Sequence, residues 1–275
     1  NFFAEEYSKK EKDEMFHHLF RYVPWNSQPE EREKELLSRA GGLARAAVIS
    51  QHTSIAVTNH NGKKFSEEEK EILKRFGSVF EQSYIRFLDL QKAEAQTREA
   101  EIQLALERVR ARTMAMQKSD ELPQAANLLF QQVQALGMPA WSAGYCTWEN
   151  NKKAITLSMS SEGVLQPSLR MPLTEDPSLI HFLEAHERGE TFFVEELGGE
   201  ELKSHYVYLR TLPGVKETLD DIEKAGFPVP TFQIFHLAYF SEGFLLFITY
   251  EPVPEAHDIF KRFAAVFEQT YTRFL

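Results

Sequence analysis

Ile72-Leu-Lys-Arg-Phe-Gly-Ser-Val-Phe-Glu-Gln-Ser-Tyr-Ile-Arg-Phe-Leu88 returns near the other end of the chain as Ile259-Phe-Lys-Arg-Phe-Ala-Ala-Val-Phe-Glu-Gln-Thr-Tyr-Thr-Arg-Phe-Leu275, without a gap and with 12 of 17 positions identical. A repeat of this kind marks two copies of one structural unit. The segments ahead of each copy agree. β-Branched and small-residue runs at 44–50 and 54–58 read as an antiparallel hairpin before the first copy, and 231–240 and 244–250 as its counterpart before the second. Each hairpin follows two short helices, one pair broken around Pro24 and the other at Pro213-Gly214.

The first copy also opens a longer run. Ile72 to Lys118 contains no proline and is rich in Ala, Glu, Gln, Arg, Lys and Leu, so it reads as one helix of about 70 Å. Ser66 with Glu69 three residues on forms a capping-box signature at its start. Leu88, Ala95, Ile102, Val109 and Met116 fall at seven-residue spacing, and Leu106 adds a second seam position. The partner row is poor in either register, with Gln91, Arg98, Ala105 and Arg112 along one and Lys92, Glu99 and Thr113 around Leu106 in the other. Two readings follow: a parallel homodimer paired through these six residues, or a solvated single helix held by local pairs such as Glu94 with Arg98.

Composition bounds the function. A net charge of −10 argues against a nucleic-acid partner, whose phosphates demand a basic surface. One cysteine, Cys146, cannot form an intrachain disulfide, and no run approaches the length of a membrane span, so a cytoplasmic location is expected. Asn1-Phe-Phe-Ala-Glu-Glu lacks a signal-peptide layout. No nucleophile elbow, phosphate-binding Gly-Lys-Ser/Thr loop or Cys-x-x-Cys pair occurs. His181, Glu184 and His186 miss the spacing of a zinc helix by one residue, so neither catalytic nor metal-binding residues are expected.

The order strand, Asn61-Gly62 turn, Lys63-Lys-Phe65-Ser66-Glu-Glu-Glu69, then Ile72-Leu-x-x-Phe76 resembles the C-terminal portion of a GAF domain, a small-molecule sensory module. Glu107-Arg-Val-Arg-Ala-Arg-Thr-Met-Ala-Met-Gln-Lys-Ser-Asp-Glu-Leu122 also resembles GAF-containing sensors of bacterial two-component systems. The resemblance implies an α+β fold with GAF-like antiparallel sheets flanked by helices. Residues 1–88 would form an incomplete unit holding the C-terminal half, 89–118 a coiled-coil-type helical linker, and 119–275 a complete unit that begins where Ser119 and Asp120 offer helix caps. It further implies that the strand absent from the first unit would have paired with 54–58, leaving that edge bare. Cyclic-nucleotide binding fits poorly, because Glu69 and Lys70 stand where the family's acidic pair belongs.

In the second unit, aromatic residues cluster on strands. The candidate ligand contacts are Trp141, Tyr145, Tyr206 and Phe247, with His205, Arg210 and His236 as polar groups that orient an anionic or heterocyclic molecule. The same aromatics could equally be core. The expected role is regulatory: an unidentified small molecule or a conformational state biases the helix, and an output module beyond these residues reads the bias. A ligand-free dimerising spacer is the alternative, and no cofactor is specified.

Overall fold

A computed structural model describes residues 1–118, 121–150, 152–161 and 163–271, with the side chain of Leu165 excepted. The expected caps Ser119 and Asp120, and the last four residues of the second repeat copy, lie outside the described residues. The chain divides into two compact units, Asn1–Gln96 and Thr97–Leu275.

The first unit runs β1 (Phe2–Tyr7), α1 (Lys9–Leu19), α2 (Glu30–Ser38), β2 (Leu43–Ile49), β3 (Ser54–Asn59) and the first part of α3 (Glu67–Ala115). Its sheet has the order β1-β2-β3, all antiparallel. Strand β1 stands where the sequence reads as helical and charged. Phe2-Phe-Ala-Glu-Glu-Tyr7 has little alternation, and its strand conformation depends on a partner some forty residues away, Phe2 facing Val48 and Tyr7 facing Leu43.

Helix α1 begins with a full capping box, Ser8 accepting from the Glu11 amide while the Glu11 carboxylate accepts from the Ser8 amide. The box expected at the start of α3 is present, with Ser66 N donating to Glu69 Oε2 at 2.7 Å and Glu69 N donating to Ser66 Oγ at 3.2 Å. Gly77 lets α3 lie close on the sheet, since a Cβ there would meet Val48 Cγ1 at 2.5 Å.

The second unit continues with α4 (Leu122–Ala135), β4 (Ala140–Trp148), β5 (Ala154–Ser161), β6 (Val164–Leu165), β7 (Leu169–Pro172), α5 (Pro177–Glu187), β8 (Phe192–Gly198), α6 (Gly199–Leu209), α7 (Val215–Lys224), β9 (Phe232–Phe240), β10 (Gly243–Thr249) and α8 (His257–Tyr271). The antiparallel sheet has the order β6-β5-β4-β10-β9-β8, with β7 paired to β5. This is the α+β class expected, with helices on both faces of the sheet. Strands β6 and β7 lie in a stretch where the sequence offers no strand signal.

The repeat extends beyond its 17 residues. The order β1-α1-α2-β2-β3-α3 matches β8-α6-α7-β9-β10-α8 element for element, and β1 holds the place beside β2 that β8 holds beside β9. Strand β10 pairs on both sides, with β9 and β4. Its counterpart β3 pairs only with β2 among the described residues, which is the bare edge the sequence implies.

The expected linker is divided. Residues from Thr97 belong to the second unit, where Ile102, Leu106, Val109 and Met116 are buried in one core with Leu129, Val133, Phe260, Phe263 and Phe267. Leu88 is half-buried and Ala95 exposed. Four of the six residues read as a dimer seam are therefore packed within the chain itself. A seven-residue apolar row specifies that a helix has a partner, and an intrachain partner satisfies it as fully as a second copy.

Candidate functional site

Strand alternation sorts the second unit's aromatics onto two faces of the sheet. On β9 and β10, Phe235, Leu237, Phe244, Leu246 and Ile248 join the core beneath α5, α6 and α7. Their neighbours Ala238, Phe240, Leu245 and Phe247 join the core with α3, α4 and α8. On β4, Cys146 faces the first side and Tyr145 the second. Alternation would place Trp141 with Tyr145, but Ile248 pairs with Ser142 and Thr249 with Ala140. Trp141 is the extra residue of a β-bulge, and it joins the Cys146 side.

Between this face and the helices lies a cavity of about 90 Å³, walled by Ile155, Leu157, Met159 and Met171 from the sheet, Leu179 and Phe182 from α5, His205, Tyr206 and Leu209 from α6, and Leu219 and Ile222 from α7. That is space for about three water molecules or one small organic group. The wall also carries polar groups. Tyr206 Oη donates to Gln233 Oε1 at 2.9 Å, and Ser142 and Ser161 share a hydrogen bond of 2.8 Å. Two further wall residues have buried donors without a partner among the described residues, Trp141 Nε1 and Gln166 Nε2. An unpaired buried N–H costs about 1–3 kcal/mol, so each donor would gain from an acceptor brought within its reach.

His205 sits where this cavity meets a more polar cleft lined by Asp176, His181, Glu195, Glu200 and Glu201. Its Nδ1 lies 2.9 Å from Asp176 Oδ1, and both side chains are buried. Burial pushes the Asp176 carboxyl up, but the His205 hydrogen bond and charge, with the amides of Leu179 and Ser178, hold it below the ordinary carboxylate value. Asp176 also caps α5, accepting from Leu179 N at 3.2 Å, so one carboxylate locks both α5 and the His205 ring.

The structure brings together three of the seven residues named from the sequence: Trp141, His205 and Tyr206. Tyr145 stacks on Phe267 at 4.1 Å and Phe247 on Phe260 at 4.0 Å, both across the sheet from the cavity. His236 is on that far side as well, against His257 and Phe260. Arg210, the C-cap of α6, turns outward to Asp220 at 2.5 Å and Glu223 at 2.7 Å, and these carboxylates hold its pKa above the ordinary value. The expected convergence of His205, Arg210 and His236 does not occur, because one step along a strand reverses a face and one helix terminus redirects a long side chain. Gln233 was legible by parity, sharing its face with Phe235 and Leu237. Gln166 falls in the segment without a pattern.

His236 carries a pH dependence. Its Nε2 is 2.9 Å from Thr249 Oγ1 and its Nδ1 is buried without a partner among the described residues, and burial, with His257 nearby, pushes its pKa down to about 4. The folded ring binds its proton more weakly than the unfolded one. The stability this contributes is full above about pH 6.5 and is lost as pH falls toward 4, roughly 2–3 kcal/mol in all. Urea midpoints from pH 7.5 to 4 are expected to fall less steeply in His236→Gln than in the parent; parallel profiles would remove His236 as the cause.

His181 pairs with Glu195 at 2.6 Å, while His186 lies against the Trp148 ring, 4.7 Å between centroids. No cluster of three or more His, Cys, Asp or Glu residues suited to a metal occurs among the described residues. No helix among them is long and apolar enough to cross a membrane.

No protein-family model and no curated protein matches the chain. Among solved structures it is similar to a free methionine-R-sulfoxide reductase from Neisseria meningitidis in complex with its substrate, at 10% identity and a TM-score of 0.38, over 63% of this chain and 89% of that one. It is also similar to a putative GAF sensor protein from Burkholderia vietnamiensis, at 9% identity and a TM-score of 0.37, over 64% of this chain and 98% of that one. A third similar structure is the GAF domain of an Acinetobacter phosphoenolpyruvate-protein phosphotransferase, at 11% identity and a TM-score of 0.33, over 62% and 96%.

Proposed function

We propose that the second unit is a regulatory sensory module of a signalling protein, taking a small, largely apolar molecule with at least one hydrogen-bond acceptor into the cavity beneath α5, α6 and α7. The observation that carries this reading is the pair of buried donors unpartnered among the described residues, Trp141 Nε1 and Gln166 Nε2, on residues lining a mostly apolar cavity. Occupancy acts on the sheet, whose opposite face packs on α8, α4 and the second part of α3. Tyr145 and Phe247 belong to this relay layer rather than to the ligand. Thiol chemistry is not part of this reading, because the one thiol, Cys146, is fully buried and burial pushes its pKa well up and away from a reactive thiolate.

The test is a thermal-shift screen of small carboxylates, amides and ketones on the whole chain. A binder at 100 times its Kd is expected to stabilise the protein by about 2.7 kcal/mol. Trp141→Phe, which keeps an aromatic ring and removes the donor, is expected to weaken that binder about tenfold. Leu246→Trp should fill the cavity and abolish the shift. If no compound shifts the parent while Leu246→Trp raises its melting temperature, the cavity is a packing defect and the unit a ligand-free spacer.

A further inference from the structure

Helix α7 closes the cavity with a single face. Val215, Thr218, Leu219 and Ile222, spaced i, i+3, i+4 and i+7, all line it, Val215 buried and the other three half-buried. Glycines with left-handed backbone stand at both ends of the helix, Gly214 at φ 78° just ahead of it and Gly226 at φ 96° just behind. A second cavity, of about 20 Å³, shares Trp141, Tyr206, Leu219 and Ile222 with the first and adds Glu223, Phe227 and Tyr250, so both spaces lie against α7.

Two ion pairs tie α7 to α6, and both converge on Arg210, which donates to Asp220 Oδ1 at 2.5 Å and to Glu223 Oε1 at 2.7 Å. Partly exposed pairs of this kind are individually weak, so they release readily. The counterpart helix in the first copy of the repeat is held differently. There the end of α2 is fastened from inside by the fully buried Lys12, whose ammonium donates to Leu36 O, Arg39 O and Gly41 O. Counted from the N-caps Ser8 and Gly198, the position of Lys12 in α1 is that of Leu202 in α6, buried but with no donor to give. The chain leading on to the next strand is also longer after α7, residues 225–231 against 39–42 after α2. One copy pins this helix in its interior, and the other ties it at the surface with slack behind it.

We propose that α7 is a lid over the cavity, swinging on Gly214 and Gly226, and that Arg210 is the latch that holds it shut through Asp220 and Glu223. Opening carries Leu219 and Ile222 away and admits a molecule to the wall of Trp141, Tyr206 and Leu246. The lid serves the ligand proposed above and in that sense rests on that reading, but its movement is measured without any ligand.

Thiol labelling of the whole chain decides it. Leu246 lines the cavity from β10 and is buried, and Cys146 is fully buried in the same core but off the cavity wall. In Leu246→Cys the introduced thiol is expected to react with iodoacetamide at least about tenfold faster than the native Cys146, which reports global unfolding. Adding Arg210→Met is expected to raise the rate at position 246 about fivefold and leave that of Cys146 unchanged. Asp220→Asn with Glu223→Gln removes the same pairs from the lid side and provides the test should the first variant fail to fold. Arg262→Met, which breaks an exposed pair with Glu99 on α3, should not change the rate at position 246. Equal rates at 246 and 146, or latch variants no faster than Arg262→Met, would overturn the proposal. A fixed lid and a thermal-shift screen without a binder are separate results, since the labelling requires no ligand.

Discussion

Ile102→Lys combined with Val109→Lys is expected to unfold the second unit, not to release a folded monomer. Both side chains are buried, Val109 at 1% exposure, in a core shared with α4 and α8. A lysine at Val109 places an ammonium in the core that holds Phe260, Phe263 and Leu129, while a lysine at Ile102 loses apolar burial at the edge of a cleft that also carries Glu99, Glu255 and Asp258. An unpaired buried charge at Val109 typically costs several kcal/mol, and with the apolar packing lost at both positions the double variant is expected to lose about 5 kcal/mol or more. That is most of the 5–15 kcal/mol by which domains are stable. Far-UV circular dichroism and a urea titration of the double variant provide the measurement, with loss of the cooperative transition as the expected result. Native-like stability with a halved mass would return these residues to the surface between two copies.

The exposed pairs along the same stretch are a minor term by comparison. Arg262 spans Glu99 with hydrogen bonds of 2.7 and 3.1 Å, and Arg98 donates to Leu136 O at 2.7 Å. An exposed ion pair such as Arg262 with Glu99 contributes about 0–1 kcal/mol, and the single Arg98 hydrogen bond to a backbone carbonyl about 0.5–3 kcal/mol. It is the apolar row that holds this part of α3 to its unit.

In the first unit the largest effect is expected from Lys12→Met. Lys12 is fully buried, and its Nζ donates to Arg39 O at 2.7 Å, Gly41 O at 3.0 Å and Leu36 O at 3.3 Å, closing the C-terminal end of α2 and the chain that leaves it. Asp13 Oδ1, at 3.5 Å, is the nearest countercharge. The last carbonyls of a helix have no partner within it, and here one ammonium serves in place of water. Methionine preserves much of the stem's packing and removes every donor, so the loss is of hydrogen bonding, roughly 2–4 kcal/mol. Chemical denaturation of the whole chain, followed by limited proteolysis for cleavage between α2 and β2, measures it. An unchanged midpoint and cleavage pattern would mean that water reaches these carbonyls once the lysine is gone.

Lys12 marks a limit of reading from sequence. Within Lys9-Lys-Glu-Lys-Asp it is one more charge on a solvated helix, and nothing local separates it from Lys10. Its burial depends on where α2 crosses α1. Trp141 is a second case: strand parity assigns it to the Tyr145 face, and only the register slip against β10 turns it into the cavity. His236 and Phe235 are a third. Both read as aromatic strand residues, and which one meets the cavity rests on register, a property of strand pairing rather than of β9 alone.

The sequence by itself determined the repeat, the hairpins, the capping box at Ser66 and Glu69, and the α+β class, because each rests on local periodicity or on a side chain bonding a backbone group three residues away. The resemblance implied that the edge of β3 would lack a neighbour, and among the described residues β3 pairs only with β2. Only the tertiary structure decided which partner satisfied each apolar row. Ile102, Leu106 and Val109 form a row as regular as Phe76, Val79 and Phe80, yet the first is closed by the chain's own α4 and α8 and the second is open. The hydrophobic effect rewards removal of apolar surface from water without regard to what covers it, so a row states that cover is needed, and the arrangement of elements in space states who supplies it.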